Sequence, residues 1–156
     1  MLTLILYKSK WGSTKQYADW ISESAGNCEV HDMETFDLSN LSKFEKIVIG
    51  SRTYLGQIQA ARYLEKNWSI LSQKPVYLFS VGLVDWSKPD AKKAYELIPD
   101  HIRNGLAGHV KLQGKIEKAK LNYFEKLMVR MIKGGHSDID KMDKKSIQPI
   151  VEFIKS

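Results

Sequence analysis

Three short apolar runs, each cut off by a polar loop that contains glycine, constrain this chain more than any other feature. They are residues 2–7 (LTLILY), 46–51 (KIVIGS) and 76–81 (VYLFSV). Each is too short for an ordinary helix and lacks polar alternation, which is the pattern of a strand buried on both faces. Between them the spacing turns helical. Tyr17, Ala18, Trp20, Ile21 and Ala25 mark a helix over 13–25 that Gly26-Asn27 stops, and a second pattern runs over 59–71 before Pro75. Residues 28–33 alternate as a short strand, 37–41 read as a connecting turn, and 107–112 read as a last strand. A helix is expected over 88–103, ended or kinked by Pro99, and another over 138–156 around Ile147, Ile150, Val151 and Ile154.

Strands alternating with helices imply βαβ units and a parallel sheet. Five strands give an α/β, doubly wound sheet in the order 2-1-3-4-5, with ligands outside the carboxyl ends of strands one, three and four. Those ends carry three loops. The first holds Ser9, Lys10, Trp11, Gly12, Ser13 and Thr14, the second Ser51, Arg52, Thr53, Tyr54, Leu55 and Gly56, and the third Ser80, Val81, Gly82, Leu83, Val84 and Asp85. In the first, a hydroxyl-rich turn leads straight into a helix, an arrangement that offers backbone N–H groups to a phosphate. Lys10 adds charge, and Gly12 permits an unusual turn.

The motifs absent from these loops narrow the chemistry. No G-x-G-x-x-G follows a strand and no G-x-x-x-x-G-K-[ST] occurs, which removes dinucleotide and P-loop sites. A phosphoacceptor receiver domain needs acidic residues where this chain has Lys8-Ser9 and Gly50-Ser51. His31, His101, His109 and His136 show no metal-ligand spacing, and the single cysteine, Cys28, is expected as a buried structural thiol in a reducing compartment. A chain of 156 residues reads as one domain over 1–156. No basic leader with a cleavage site and no span of roughly 20 apolar residues is visible, so a cytoplasmic protein is expected. The net charge of +6 comes with no nucleic-acid recognition motif, so no nucleic-acid partner is expected.

The three loops resemble those of the flavodoxin family over nearly the whole chain. Flavodoxins hold the phosphate of FMN in a first loop commonly written T-x-T-G-x-T. Ser9, Gly12 and Thr14 match its first, fourth and last positions, while Trp11 departs from the third. The resemblance implies FMN as cofactor, with the isoalloxazine between the second and third loops. Tyr54 is then the aromatic expected to stack on the ring, with Trp86 a second candidate.

After the last strand the run 121–138 (LNYFEKLMVRMIKGGHSD) is similar to the insertion of the menaquinone-dependent protoporphyrinogen dehydrogenases. These are flavodoxin-like FMN enzymes that oxidise protoporphyrinogen IX and pass electrons to a membrane quinone. The insertion is placed at about 115–137. Lys115, Lys118, Lys120, Lys126, Arg130 and Lys133 outnumber Glu117 and Glu125 there, beside an apolar set of Leu121, Phe124, Leu127, Met128, Met131 and Ile132. A basic amphipathic helix of this kind lies on anionic membrane surfaces. The resemblance therefore implies an FMN oxidoreductase with a porphyrinogen substrate, menaquinone or another quinone as acceptor, and peripheral contact with the inner face of the cell membrane. The alternative is an electron carrier that docks on redox partners without a substrate of its own. A domain with an empty site, acting by protein contact, is a third reading. No side chain is singled out as catalytic, although proton removal near Tyr54 and Asp85 is conceivable, and a proton relay at His136.

Overall fold

In the computed structural model, residues 1–84, 87–133 and 138–156 are described. Asp85, Trp86, Gly134, Gly135 and His136, singled out above, lie outside the described residues. The main strands are β1 (Thr3–Lys8), β2 (Cys28–Asp32), β3 (Lys46–Tyr54), β5 (Val76–Gly82) and β6 (Gly108–Gln113), and β4 (Gln57–Ile58) is a short one. The helices α1 (Ser13–Ala25), α2 (Ala60–Leu71), α3 (Pro89–Glu96) and α4 (Asp100–Gly105) connect them. Two short strands, β7 (Lys115–Ile116) and β8 (Ile139–Asp140), flank α5 (Tyr123–Lys133), and α6 (Gln148–Lys155) ends the chain.

The long strands pair in parallel in the order β2-β1-β3-β5-β6, the order 2-1-3-4-5 expected from the sequence when only they are counted. Alternate residues of each strand feed opposite faces. Leu4, Leu6, Ile47, Ile49 and Leu78 pack with Leu64 and Leu71 of α2 and Ile102 of α4. Ile5, Val48 and Phe79 meet Tyr17 and Ile21 of α1 and Ile150, Val151 and Ile154 of α6 on the other face. Burying each such aliphatic side chain is worth about 1.5–3 kcal/mol, so the sheet is fixed from both sides. In register, Lys8, Ser51, Ser80 and Lys111 form one row across β1, β3, β5 and β6 near their carboxyl ends.

The structure corrects several sequence expectations. The third strand of the sequence reading does not stop at Ser51. It continues as β3 through Arg52 and Thr53 to Tyr54 and folds back onto β4, so only Leu55 and Gly56 are a turn. The turn over 37–41 is a 3-10 helix, Leu38–Lys43, opened by the Asp37 carboxylate accepting from the Ser39 N–H. Over 88–103 the helix divides into α3 and α4, because Pro99 cannot continue α3 yet suits the start of α4. The expected helix over 138–156 begins only at Gln148, since β8 and a 3-10 turn, Lys144–Ile147, take up the preceding residues. Pro149 sits in the first turn of α6, where its missing N–H costs nothing. Cys28 is half-buried rather than enclosed, and burial raises its thiol pKa.

Candidate functional site

At the carboxyl ends of β1, β3 and β5 lies a cavity of about 770 Å³, within the range of cofactor pockets. All three sequence-predicted loops reach it. Ser9, Lys10, Trp11, Ser13 and Thr14 line it from the first, Arg52, Thr53, Tyr54, Leu55 and Gly56 from the second, and Val81, Gly82, Leu83 and Val84 from the third. Ser51 and Ser80 lie one layer beneath, buried in their strands. The Ser51 hydroxyl accepts the Ala60 N–H at 2.9 Å and so fixes the start of α2. Ser80 Oγ lies 3.1 Å from His109 Nε2.

The first loop turns at Gly12, whose φ of 95° lies in the left-handed region that an L side chain resists. Its N–H donates to Ser9 Oγ at 3.1 Å, which holds the loop closed on itself. Among the described residues no side chain caps α1, so the N–H groups of its first turn have no partner within the helix and face the loop. Ser13 is partly spoken for: its hydroxyl lies 3.3 Å from the Lys115 N–H and 3.4 Å from the Lys115 carbonyl, which ties β7 to the start of α1.

In the second loop, Leu55 and Gly56 both take positive φ, 50° and 74°, between the paired residues Tyr54 and Gln57. That is the two-residue hairpin turn that favours Asn-Gly, so Leu55 is strained there. It is also 64% exposed, with its side chain at the cavity. The Arg52 guanidinium lies 4.2 Å from the Tyr54 ring and 4.5 Å from that of Trp11, and its Nε donates to Gln59 Oε1 at 3.1 Å. Burial lowers the Arg52 pKa, against the opposing influence of Glu125 and Tyr54. Trp11 and Tyr54 therefore flank a cation in this structure.

Two groups that the sequence reading left out of the site belong to it. Lys111 projects from β6, donates to Thr53 Oγ1 at 3.1 Å and lines the cavity between the second and third loops, where burial pulls its pKa down to about 8. The signal was present: His109 and Lys111 stand two apart on a strand, hence on one face. His109 stacks on Tyr95 of α3 with ring centroids 4.2 Å apart, and burial, with Lys111 nearby, lowers its pKa to about 4. The second missed group is Glu125. Counted in the sequence as one of two acids in a basic amphipathic segment, it is only 3% exposed and meets Lys10 Nζ at 2.9 Å. Phe124 and Leu127 on the same helix, expected as part of its apolar face, are exposed.

The curated protoporphyrinogen IX dehydrogenase [quinone] of Leishmania major is 26% identical over 152 residues, covering 88% of this chain and 66% of that protein's length. Oxidised flavodoxin 2 of Bacillus cereus superposes with a TM-score of 0.53 at 23% identity, over 85% of this chain and 100% of that one. The flavodoxin of Streptococcus pneumonia TIGR4 gives 0.54 at 19%, over 81% and 94%. The flavodoxin domain family matches residues 4–143. That match supports FMN as the cofactor, and the donors present fit it: an uncapped helix start beside hydroxyls for a phosphate, and a cavity with apolar walls for a ring system. With most of its length matched, the chain belongs to the flavodoxin domain family.

Proposed function

We propose that this protein is an FMN-dependent oxidoreductase that oxidises a reduced porphyrinogen, protoporphyrinogen IX by preference, and passes the electrons to a membrane quinone. The observation that carries the reading is the position of residues 115–133, which run from β7 into α5 beside the cofactor cavity and contribute Lys115, Ile116 and Glu125 to its lining. The relative that acts on protoporphyrinogen with a quinone supports the substrate class.

FMN, when bound, supplies the redox chemistry, and the chain supplies the rest. Ser9, Gly12, Ser13 and Thr14, with the start of α1, would hold the phosphate; the Tyr54-Leu55-Gly56 turn and Gly82-Leu83 would flank the ring. Ala91 and Leu97, on and just after α3, line one wall. Lys111 places a proton-bearing ammonium on the wall between the second and third loops, with a pKa of about 8 that lets it hold or yield that proton near neutral pH. Oxidation of protoporphyrinogen to protoporphyrin removes six electrons and six protons, so three quinones become quinols per substrate.

Among the described residues no helix is long and apolar enough to cross a membrane. Access to a bilayer quinone would come instead through α5. Its outward arc, opposite Glu125, exposes Tyr123, Phe124 and Leu127 beside the exposed cations Lys126 and Arg130. Aromatic and aliphatic groups beside cations are the composition of an interfacial helix. The test is anaerobic turnover of protoporphyrinogen IX by the FMN-loaded protein with a menaquinone analogue in anionic vesicles. Quinone-dependent formation of porphyrin is expected. FMN binding without such turnover would instead identify an electron carrier.

A further inference from the structure

We infer that Lys10, Arg52 and the Trp11 indole N–H form a carboxylate subsite at the edge of the cofactor cavity. Glu125 closes it in the free protein, and a carboxylate side chain of the substrate takes it by displacing Glu125. The inference rests on the porphyrinogen reading, whose substrate carries two propionates.

Three buried polar atoms at this place have no hydrogen-bond partner: Arg52 Nη1, Trp11 Nε1 and Glu125 Oε2. All three residues line the cavity, as does Lys10. Arg52 is 11% exposed and Glu125 3%. Glu125 Oε1 is matched to Lys10 Nζ at 2.9 Å, but Oε2 stops 4.0 Å from Arg52 Nη1, beyond hydrogen-bond reach. Orphaned buried groups are costly, charged ones most of all, so the free protein holds a poorly satisfied arrangement here. Two of the orphans are donors and both belong to well-anchored groups. The guanidinium is held between the Trp11 and Tyr54 rings and by Gln59. The acceptor comes from the first turn of α5, started by the Asn122 side chain accepting the Glu125 N–H at 2.8 Å. A substrate carboxylate has two oxygens for these donors and is not bound by the path of α5. It satisfies groups that Glu125 leaves open, and charge-assisted bonds of this kind are the strong ones. Glu125 then acts as a resident anion that excludes ligands lacking a carboxylate to compete with it.

The experiment compares binding of protoporphyrin IX and its dimethyl ester to the FMN-loaded protein by porphyrin fluorescence in detergent micelles. The acid is expected to bind at least about tenfold more tightly than the ester. Glu125→Gln should tighten the acid about three- to tenfold and leave the ester unchanged. Arg52→Gln should bring the acid down to the level of the ester, and Lys10→Gln part of the way, with thermal midpoints confirming that each variant is folded. Equal binding of acid and ester, or weaker acid binding by Glu125→Gln, overturns the subsite and leaves the porphyrin reading intact. Failure of both porphyrins to bind overturns the subsite and the porphyrin reading together. Arg52→Gln weakening FMN but not riboflavin would show that the anion served is the cofactor's phosphate, which also overturns the proposal.

Discussion

Lys111 and His109 show what single side chains cost this fold. The folded pKa of Lys111, about 8, lies below the ordinary 10.5, so the unfolded chain holds the proton more tightly. Its buried charge destabilises the fold below pH 8, and stability rises as pH climbs from 8 towards 10.5. Lys111→Met should therefore stabilise the flavin-free protein at pH 7 by about 1–2 kcal/mol in urea denaturation, the lost bond to Thr53 offsetting part of the gain, and the difference should shrink towards pH 10.5. His109 works at the other end. Its folded pKa of about 4 lies below 6.5, so stability present above pH 6.5 is lost as pH falls towards 4, by on the order of 3 kcal/mol. His109→Gln should remove that part of the acid sensitivity, read as a flatter thermal midpoint between those pH values. The sequence announced the hydroxyls and glycines of the loops because turn chemistry is local. For Lys111 it offered only the shared strand face with His109, and for Glu125 nothing, because their roles depend on what the sheet and the insertion carry them against.

At the level of elements, the apolar runs were legible because a strand buried on both faces leaves an uninterrupted pattern, and Pro99 and Pro149 mark where helices begin or end. The β3–β4 hairpin was not, because Leu55-Gly56 lacks the Asn-Gly signature of its turn. Leu55→Asn should stabilise the free protein by about 0.5–1 kcal/mol, since asparagine tolerates positive φ, and should weaken FMN binding if the leucine is kept for contact with the ring. Thermal midpoints and FMN titration check the two halves. Helix α5 was legible as amphipathic, but the buried side chain among its described ones is the acid Glu125, and Phe124 and Leu127 are exposed. Replacing Lys126 and Arg130 with glutamate should weaken partition onto anionic vesicles at least about thirtyfold and leave FMN affinity unchanged, because each cation near such a surface contributes about 1 kcal/mol.

For the whole molecule, the sheet gathers three loops at one edge, and residues 115–133, whose sequence holds a surplus of four of the six formal positive charges, send Lys115 and Glu125 to the same cavity. A site that takes an anionic cofactor and lies next to cations suits both an anionic bilayer and a carboxylate-bearing substrate. The fold and its likeness to flavodoxins were legible from the sequence because strand order follows from the alternation of elements. The cluster of Lys10, Arg52 and Glu125 was not, because these side chains come together from the loop after β1, from β3 and from α5. The most direct measurement is titration of the flavin-free protein with FMN and, in parallel, riboflavin, followed by quenching of flavin fluorescence. The account predicts saturable binding of FMN, with riboflavin at least about tenfold weaker because it lacks the phosphate that the first loop and the start of α1 hold. No binding at saturating FMN, or equal affinity for the two, would contradict it.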